Sequence, residues 1–199
     1  MQINIDKKTL GVLAIIGVLV VALFVALTRS NENDMDNMQG HMHHGSANSK
    51  YTGADIMFLQ MMIPHHQQAI DISQLALKKS KDSELRALAE KIATDQAREI
   101  LQMKAWLKDA NASEDPGHSM HGMGGMLNDN ELAKLATSSG KDFDLLWLKG
   151  MIGHHDGAIH MSSMITDAQN SEIKAFGEKV VADQSAQIEQ MKRMLTRIS

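Results

Sequence analysis

The chain has 199 residues and a net charge of about −4, and it carries 16 Met and 10 His but no Cys. The weak acidity excludes a basic nucleic-acid surface, and the missing thiols exclude disulfides, thiolate zinc sites, iron–sulfur clusters and the His/Cys blue-copper centre. A cysteine-free chain suits an oxidising compartment, and its thioethers select soft monovalent metals such as Cu(I), while imidazole accepts copper, zinc, nickel and iron alike.

Residues 1–30 read as a membrane anchor. Thr9 to Leu27 is uncharged and rich in Val, Leu, Ile and Ala, and as a helix it spans roughly 28 Å, enough for a bilayer core. A secretory signal peptide has a shorter apolar run that ends in a small-x-small cleavage site. Ala26-Leu27-Thr28 matches that poorly, so an uncleaved, single-pass anchor is expected. Lys7 and Lys8 precede the span and Arg29 alone follows closely, which puts the N-terminus in the cytoplasm and the remainder in the periplasm or outside the cell.

Residues 31–50 form a polar stretch without apolar period, expected to be a flexible tether. It contains Met35, Met38 and the run His41, Met42, His43 and His44. The loop at 111–127 repeats that composition with His118, Met120, His121, Met123 and Met126 among glycines. A Gly-rich backbone lets such side chains converge on a metal, and short His-rich tracts are a compositional metal signal.

Residues 51–199 read as one all-α domain of four long helices: about Asp55 to Lys79, Ser83 to Asp109, Asp142 to Ala168, and Ser171 to Arg197. Asp82 and Asn170 are expected N-caps, with Glu84 and Glu172 favouring the positive helix ends. The short connections inside each pair predict two antiparallel hairpins. A short helix after Asn128, with Glu131 completing a capping-box pattern, is expected to cross between them.

The two hairpins repeat one another. Met62-Ile63-Pro64-His65-His66 returns 89 residues later as Met151-Ile152-Gly153-His154-His155, and at 88 residues Asp95-Gln96 matches Asp183-Gln184 and Gln102-Met103-Lys104 matches Gln190-Met191-Lys192. Such a period is too long for a solenoid unit and fits a duplicated helix pair. At 100° per residue, Phe58, Met62, His65, Ala69, Ile72 and Ala76 fall on one stripe, and Trp147, Met151, His154, Ala158, Met161 and Ile165 on its counterpart. His66 and His155 fall at the stripes' edges. The second and fourth helices turn Leu85, Ala89, Ile92, Gln96 and Met103, and Ile173, Val180, Gln184 and Met191, inward. Asp95 and Asp183 lie at the margins, either orienting an imidazole from behind or simply solvated.

A Met at core spacing is ordinarily a flexible gap-filler, and Met57, Met103 and Met194 taken singly read that way. A lone inward His is likewise ordinarily a hydrogen-bonded core residue. Two adjacent histidines reproduced with Met at the same offset are poorly explained by packing, so metal is the favoured role for His65, His66, His154 and His155. Pro64 removes an N–H and clashes with the Gln60 carbonyl, and Gly153 stands at the same place in the second copy, so both helices are expected to loosen beside the doublet.

Met61-Met62-Ile63-Pro64-His65-His66-Gln67-Gln68-Ala69-Ile70, followed by Ile92, Asp95-Gln96, Glu99-Ile100 and Gln102-Met103, resembles the family called domain of unknown function 305, which includes CopM-like copper-binding proteins. The resemblance covers about Tyr51 to Ser199. It implies a ferritin-like four-helix bundle, a periplasmic or surface setting, and copper binding through Met and His linked to copper tolerance. The matching ligand positions are Met62, His65, His66 and Met103, and Met151, His154, His155 and Met191. His160, Met161 and Met164 enrich the second copy, which makes unequal affinity of the two halves the expectation. Di-iron chemistry is not expected, since the inward Glu residues with Glu-x-x-His pairs that it needs are missing.

The expected function is therefore a membrane-tethered, extracytoplasmic protein that sequesters or transfers Cu(I), with Cu(II) or Ag(I) as further cargo and no catalytic turnover. A copper exporter, oxidase or chaperone is the expected exchange partner. A redox-active metal oxidase working from the His pairs, and a structural or adaptor bundle whose Met-rich faces bind a partner helix, are the competing readings.

Overall fold

The computed structural model describes residues 50–115 and 124–199. These form α1 (Gly53–Lys79), α2 (Ser83–Asp109), the short α3 (Asp129–Thr137), α4 (Gly140–Ser162) with a 3-10 turn at Ser163–Ile165, and α5 (Ser171–Ile198). Among the described residues there is no strand.

The helix ends are set by side chains taking up free backbone donors. Thr52 accepts from the Asp55 N–H while the Asp55 carboxylate accepts from the Thr52 N–H, a capping box that starts α1 at Gly53, two residues before the expected Asp55. Asp82 and Asn170 cap α2 and α5 as expected, and Asn128 with Glu131 forms the capping box of α3. The third long helix departs from expectation at both ends: it begins at Gly140, not Asp142, and stops at Ser162, short of Ala168. Ser162 donates to the Ala158 carbonyl, Ser163 to that of His160 and Thr166 to that of Ser163. Hydroxyls bonding back in this way compete with the helical ladder and tighten its last turn. Pro64 lies inside α1 without ending it.

Each hairpin is antiparallel and α1 opposes α4, so α2 and α4 run the same way: Lys79 at the end of α1 bonds the Ser138 carbonyl just before α4, and Asn170 just before α5 bonds the Lys50 carbonyl. At one end of the first hairpin Asp109 accepts from Lys50 and Tyr51 at 2.7 Å each, and at the other Arg86 reaches the Leu77 carbonyl. Lys50, expected to close the tether, is thus part of the bundle. In the second hairpin Lys141 bonds the Ser199 carbonyl at 3.0 Å. The hairpins join where Trp147 donates to the Ile72 carbonyl at 3.0 Å and where Arg197 pairs with Asp82 at 2.8 Å.

The bundle interior holds two apolar clusters. One gathers Phe58, Met62, Met103, Ala158 and Met161 with Trp106 and Phe176, whose rings meet edge to face at 5.3 Å. The other gathers Ala69, Ile72, Trp147, Met151, Met191 and Met194. Met103 and Met194 are core residues as expected, but Met57 is 47% exposed and fills no gap. No helix among the described residues is long and apolar enough to cross a membrane. The apolar span at 9–27 and most of the tether lie outside the described residues.

Candidate metal centre

Between the two clusters lies a layer of histidine. In α1, His65 falls between Met62 of one cluster and Ala69 of the other; in α4, His154 falls between Met151 and Ala158, whose cluster memberships are reversed. The two rings meet across the interface with centroids 3.7 Å apart and planes inclined by 38°. Their neighbours repeat the same arrangement, with His66 6.5 Å from His65 and His155 6.4 Å from His154.

All four rings have no exposed surface. That corrects the placing of His66 and His155 at the stripes' edges: α2 and α5 cover them, and each finds a polar partner there. His66 Nε2 lies 2.9 Å from Glu99 Oε2 and His155 Nε2 lies 2.6 Å from Gln187 Oε1. Burial pushes the Glu99 carboxyl up, but the bonds from His66 and Lys179 outweigh it and hold it below its ordinary value. An ionised carboxylate and an amide oxygen can only accept, so Nε2 carries the proton on both rings and the lone pair falls on Nδ1. Asp95 and Asp183 do not perform this service. Asp95 pairs with Lys91 and Arg98 at 2.5 Å each, and Asp183 pairs with Lys179.

The lone pairs presented inside the bundle have no protein partner. Both nitrogens of His65 and of His154, and Nδ1 of His66 and His155, are buried without a hydrogen bond, as are the Gln96 amide and Gln184 Oε1. Buried polar atoms are ordinarily satisfied, and an orphan costs about 1–3 kcal/mol. Burial holds His65, His154 and His155 in the neutral form that a metal requires. The His65 pKa is lowered to about 3 by burial first and by His66 and His155 next, against an opposing pull from the Gly124 carbonyl. His154 falls well below its usual value through burial and its histidine neighbours, and burial takes His155 down to about 4 against the opposing Gln187 bond.

Met62, Met103, Met151 and Met191 are fully buried in the clusters on either side of the layer, and Met161 nearly so. Among the described residues no three His, Asp or Glu side chains converge into a ready-made cation site. The donors at this layer are imidazole nitrogens, with thioether sulfurs in the clusters on either side, and imidazole with thioether is the donor set of a soft monovalent ion. The enrichment expected in the second copy is dispersed: His160 is exposed and Met164 is 38% exposed on the 3-10 turn. His41, Met42, His43 and His44, and His118, Met120, His121 and Met123, lie outside the described residues.

The end of the 111–127 loop reaches the layer. Gln68 clamps Leu127 by both its atoms, donating to the carbonyl at 2.9 Å and accepting from the N–H at 2.8 Å. On the α4 side Gly124 and Gly125 press against Gly157, where any Cβ would overlap the Gly124 carbonyl. Gly125 has φ +86°, a conformation that favours glycine. Glu99, Gln187, Gln68 and Gly157 were not among the residues picked out as site candidates from the sequence. The repeat itself could have found the first two, because at the 88-residue offset Glu99 aligns with Gln187.

Comparison with known proteins places this geometry in a family. Residues 55–195 match the domain of unknown function DUF305. A DUF305 fragment from Deinococcus radiodurans superposes with a TM-score of 0.69 at 30% identity, over 74% of this chain and 98% of that one. CopM in its Cu(II)-bound form gives 0.64 at 36% identity, over 73% and 97%. CopM in its Cu(I)-bound form gives 0.61 at 35% identity, over 72% and 96%, and CopM has also been seen with silver and in an apo form. No curated protein matches the chain. A family match over most of the chain, with solved relatives covered almost end to end, shows that this protein belongs to the DUF305 family.

Proposed function

We propose that this chain is a membrane-tethered, extracytoplasmic copper-binding protein that sequesters or hands over Cu(I), and so contributes to copper tolerance. In this reading residues 9–27 form a single transmembrane helix with the N-terminus in the cytoplasm, and a ferritin-like bundle stands in the periplasm or outside the cell. The observation that carries the copper reading is the buried histidine layer, with its unpartnered lone pairs between methionine-bearing clusters. The copper- and silver-bound forms of CopM support it from outside.

Imidazole and thioether donors favour Cu(I) and Ag(I) over zinc, which gains little from Met sulfur. The buried, closely packed layer suits holding and transfer rather than turnover, with a copper exporter, oxidase or chaperone as the exchange partner. His65, His66, His154 and His155 would hold the ion with Met62, Met103, Met151 and Met191, while the 41–44 run and the 118–123 loop would supply weaker sites.

Native mass spectrometry of the full chain titrated with Cu(I), Cu(II) and Zn(II) tests this. Cu(I) should bind in defined number under reducing conditions and outcompete Zn(II). Tighter zinc binding, or no copper at all, would overturn it. Oxygen uptake by the copper-loaded protein would instead point to an oxidase.

A further inference from the structure

Glu99 stands on the border between the histidine layer and solvent. Its Oε2 bonds the fully buried His66 ring and its Oε1 meets Lys179 Nζ at 3.2 Å. Lys179 is 58% exposed, while Glu99 retains 13% exposure. A surface cavity of about 220 Å³ opens here, lined by Glu99 and Lys179 with Asp95, Arg98, Gln102 and Phe176. His66 thus has one nitrogen turned toward the cavity's carboxylate and the other buried without a partner.

We propose that the Glu99 cavity is the port through which a soft monovalent cation, Cu(I) or Ag(I), reaches and leaves the histidine layer, with Glu99 as the positioning residue at its mouth. The proposal rests on the copper reading above and adds the route. A carboxylate at the mouth attracts a cation by charge, yet as a hard ligand it holds a soft ion weakly. The imidazole and thioethers behind it hold that ion better, so the ligands soften from mouth to interior and the ion is drawn inward. Glu99 also keeps the proton on His66 Nε2, which leaves Nδ1 as the donor.

Lys179 shuts the port by bridging Glu99 and Asp183. Its stem is flexible and largely solvated, so letting go costs little. The second copy is built differently. Gln187 fixes the His155 tautomer through the same kind of bond, but it is neutral and cannot draw a cation. Loading accordingly runs through the first hairpin.

Stopped-flow transfer of Cu(I) between the full-length chain and a chromophoric Cu(I) chelator tests this, with E99Q, K179A and the exposed control E90Q. E99Q can still accept from His66 Nε2 while losing the charge. It should slow loading and removal together by about tenfold, the low end of what charge steering supplies, and leave affinity nearly constant. K179A should speed both, and E90Q neither. Nitrogen-15 spectra should keep the Nδ1 lone pair in E99Q and lose it in E99A. Faster removal with normal loading in E99Q would mean a merely structural bond and would overturn the proposal. So would wild-type rates in both E99Q and K179A. If E99Q does not fold, K179A decides alone. A wild-type chain that takes up no Cu(I) would sink the copper reading itself, an outcome distinct from these.

Discussion

The two hairpins carry the same Met-Ile-x-His-His segment, yet they differ where each meets its surroundings. At the position of Glu99 in the first stands Gln187 in the second, and at the position of Gln68 stands Gly157. Both differences concern one layer of rings. Glu99 and Gln187 each accept from an outer histidine, one with a charge and one without. Gln68 and Gly157 hold the same loop from opposite sides, one through two hydrogen bonds and the other by having no side chain. A duplicated bundle joined by a single loop cannot keep its symmetry there, because the loop passes the layer once. The inner stacked pair is what the copies share, and the outer shell is where they have diverged.

Acid should break the layer most strongly. His65, His154 and His155 have folded-state pKa values below the unfolded value of about 6.5, so the unfolded chain binds the extra protons. The stabilisation is fully present above pH 6.5 and is lost as pH falls toward about 4. Each such histidine removes about 1.4 kcal/mol per pH unit across that window. Urea denaturation of the metal-free chain between pH 7 and pH 4.5 should show a steep fall, and H155A should flatten it by one histidine's share. A metal-free stability independent of pH in this range would contradict the buried, neutral layer.

Removing the shared element comes next. H65A together with H154A deletes the stacked pair, and large-to-small changes in a packed core cost about 2–5 kcal/mol per site. Part of that is offset because the unpartnered nitrogens go too. A net loss of about 3 kcal/mol, or roughly 6–12 °C in melting temperature, should accompany loss of tightly held Cu(I). A double variant with full stability and full copper would make the doublet mere packing and leave the loops as the binding sites.

The loop contact separates the hairpins at intermediate size. G157A places a methyl where the Gly124 carbonyl lies, and overpacking of this kind costs about 1–3 kcal/mol. The first hairpin's counterpart, Q68A, only loses its clamp, about 1 kcal/mol for each hydrogen bond. Thermal melts of the two should differ in that order. The outer histidines should then differ by about 1 kcal/mol, because H155A strands the buried Gln187 amide whereas H66A leaves Glu99 paired with Lys179. Neither is the near-silent change that a position at the stripe's edge implied.

Periodicity made the inward stripes legible because helical spacing alone fixes which residues share a face. Every residue from Phe58 to Ala76 on the first stripe, and from Trp147 to Ile165 on the second, is buried. The caps at Asp82, Asn128 and Asn170 were legible from local chemistry. What a single helix cannot report is its cover. His66 and His155 looked marginal on their own helices and became buried only because α2 and α5 lie over them. Their acceptors were sought one turn too early, at Asp95 and Asp183, since nothing local distinguishes an ion-paired Asp from the partly buried Glu99 or the buried Gln187 four residues on. The close approach of the Gly125 backbone to α4 is a long-range event with no signature at Gly157.

The smallest effect on stability should come from the change most specific to metal. Replacing Met62, Met151, Met161 and Met164 by Leu nearly conserves volume and keeps the apolar contacts, so each should cost under about 1.5 kcal/mol. Met164 should cost least, because it sits half-exposed on the 3-10 turn. The sulfur is what disappears. If thioethers flank the histidine layer as ligands, Cu(I) affinity in competition with a chromophoric chelator should fall at least tenfold, while Zn(II) affinity, which owes little to Met, should hardly move. Comparing M62L with M151L then asks whether the hairpins contribute equally. Met62 shares its cluster with the buried Met103 and Met161, whereas Met151 shares its own with the buried Met191 and Met194, so either loss leaves two buried sulfurs on that side of the layer, and the two variants should weaken Cu(I) alike. A quadruple variant with unchanged Cu(I) affinity would remove methionine from the site and leave imidazole as its sole donor.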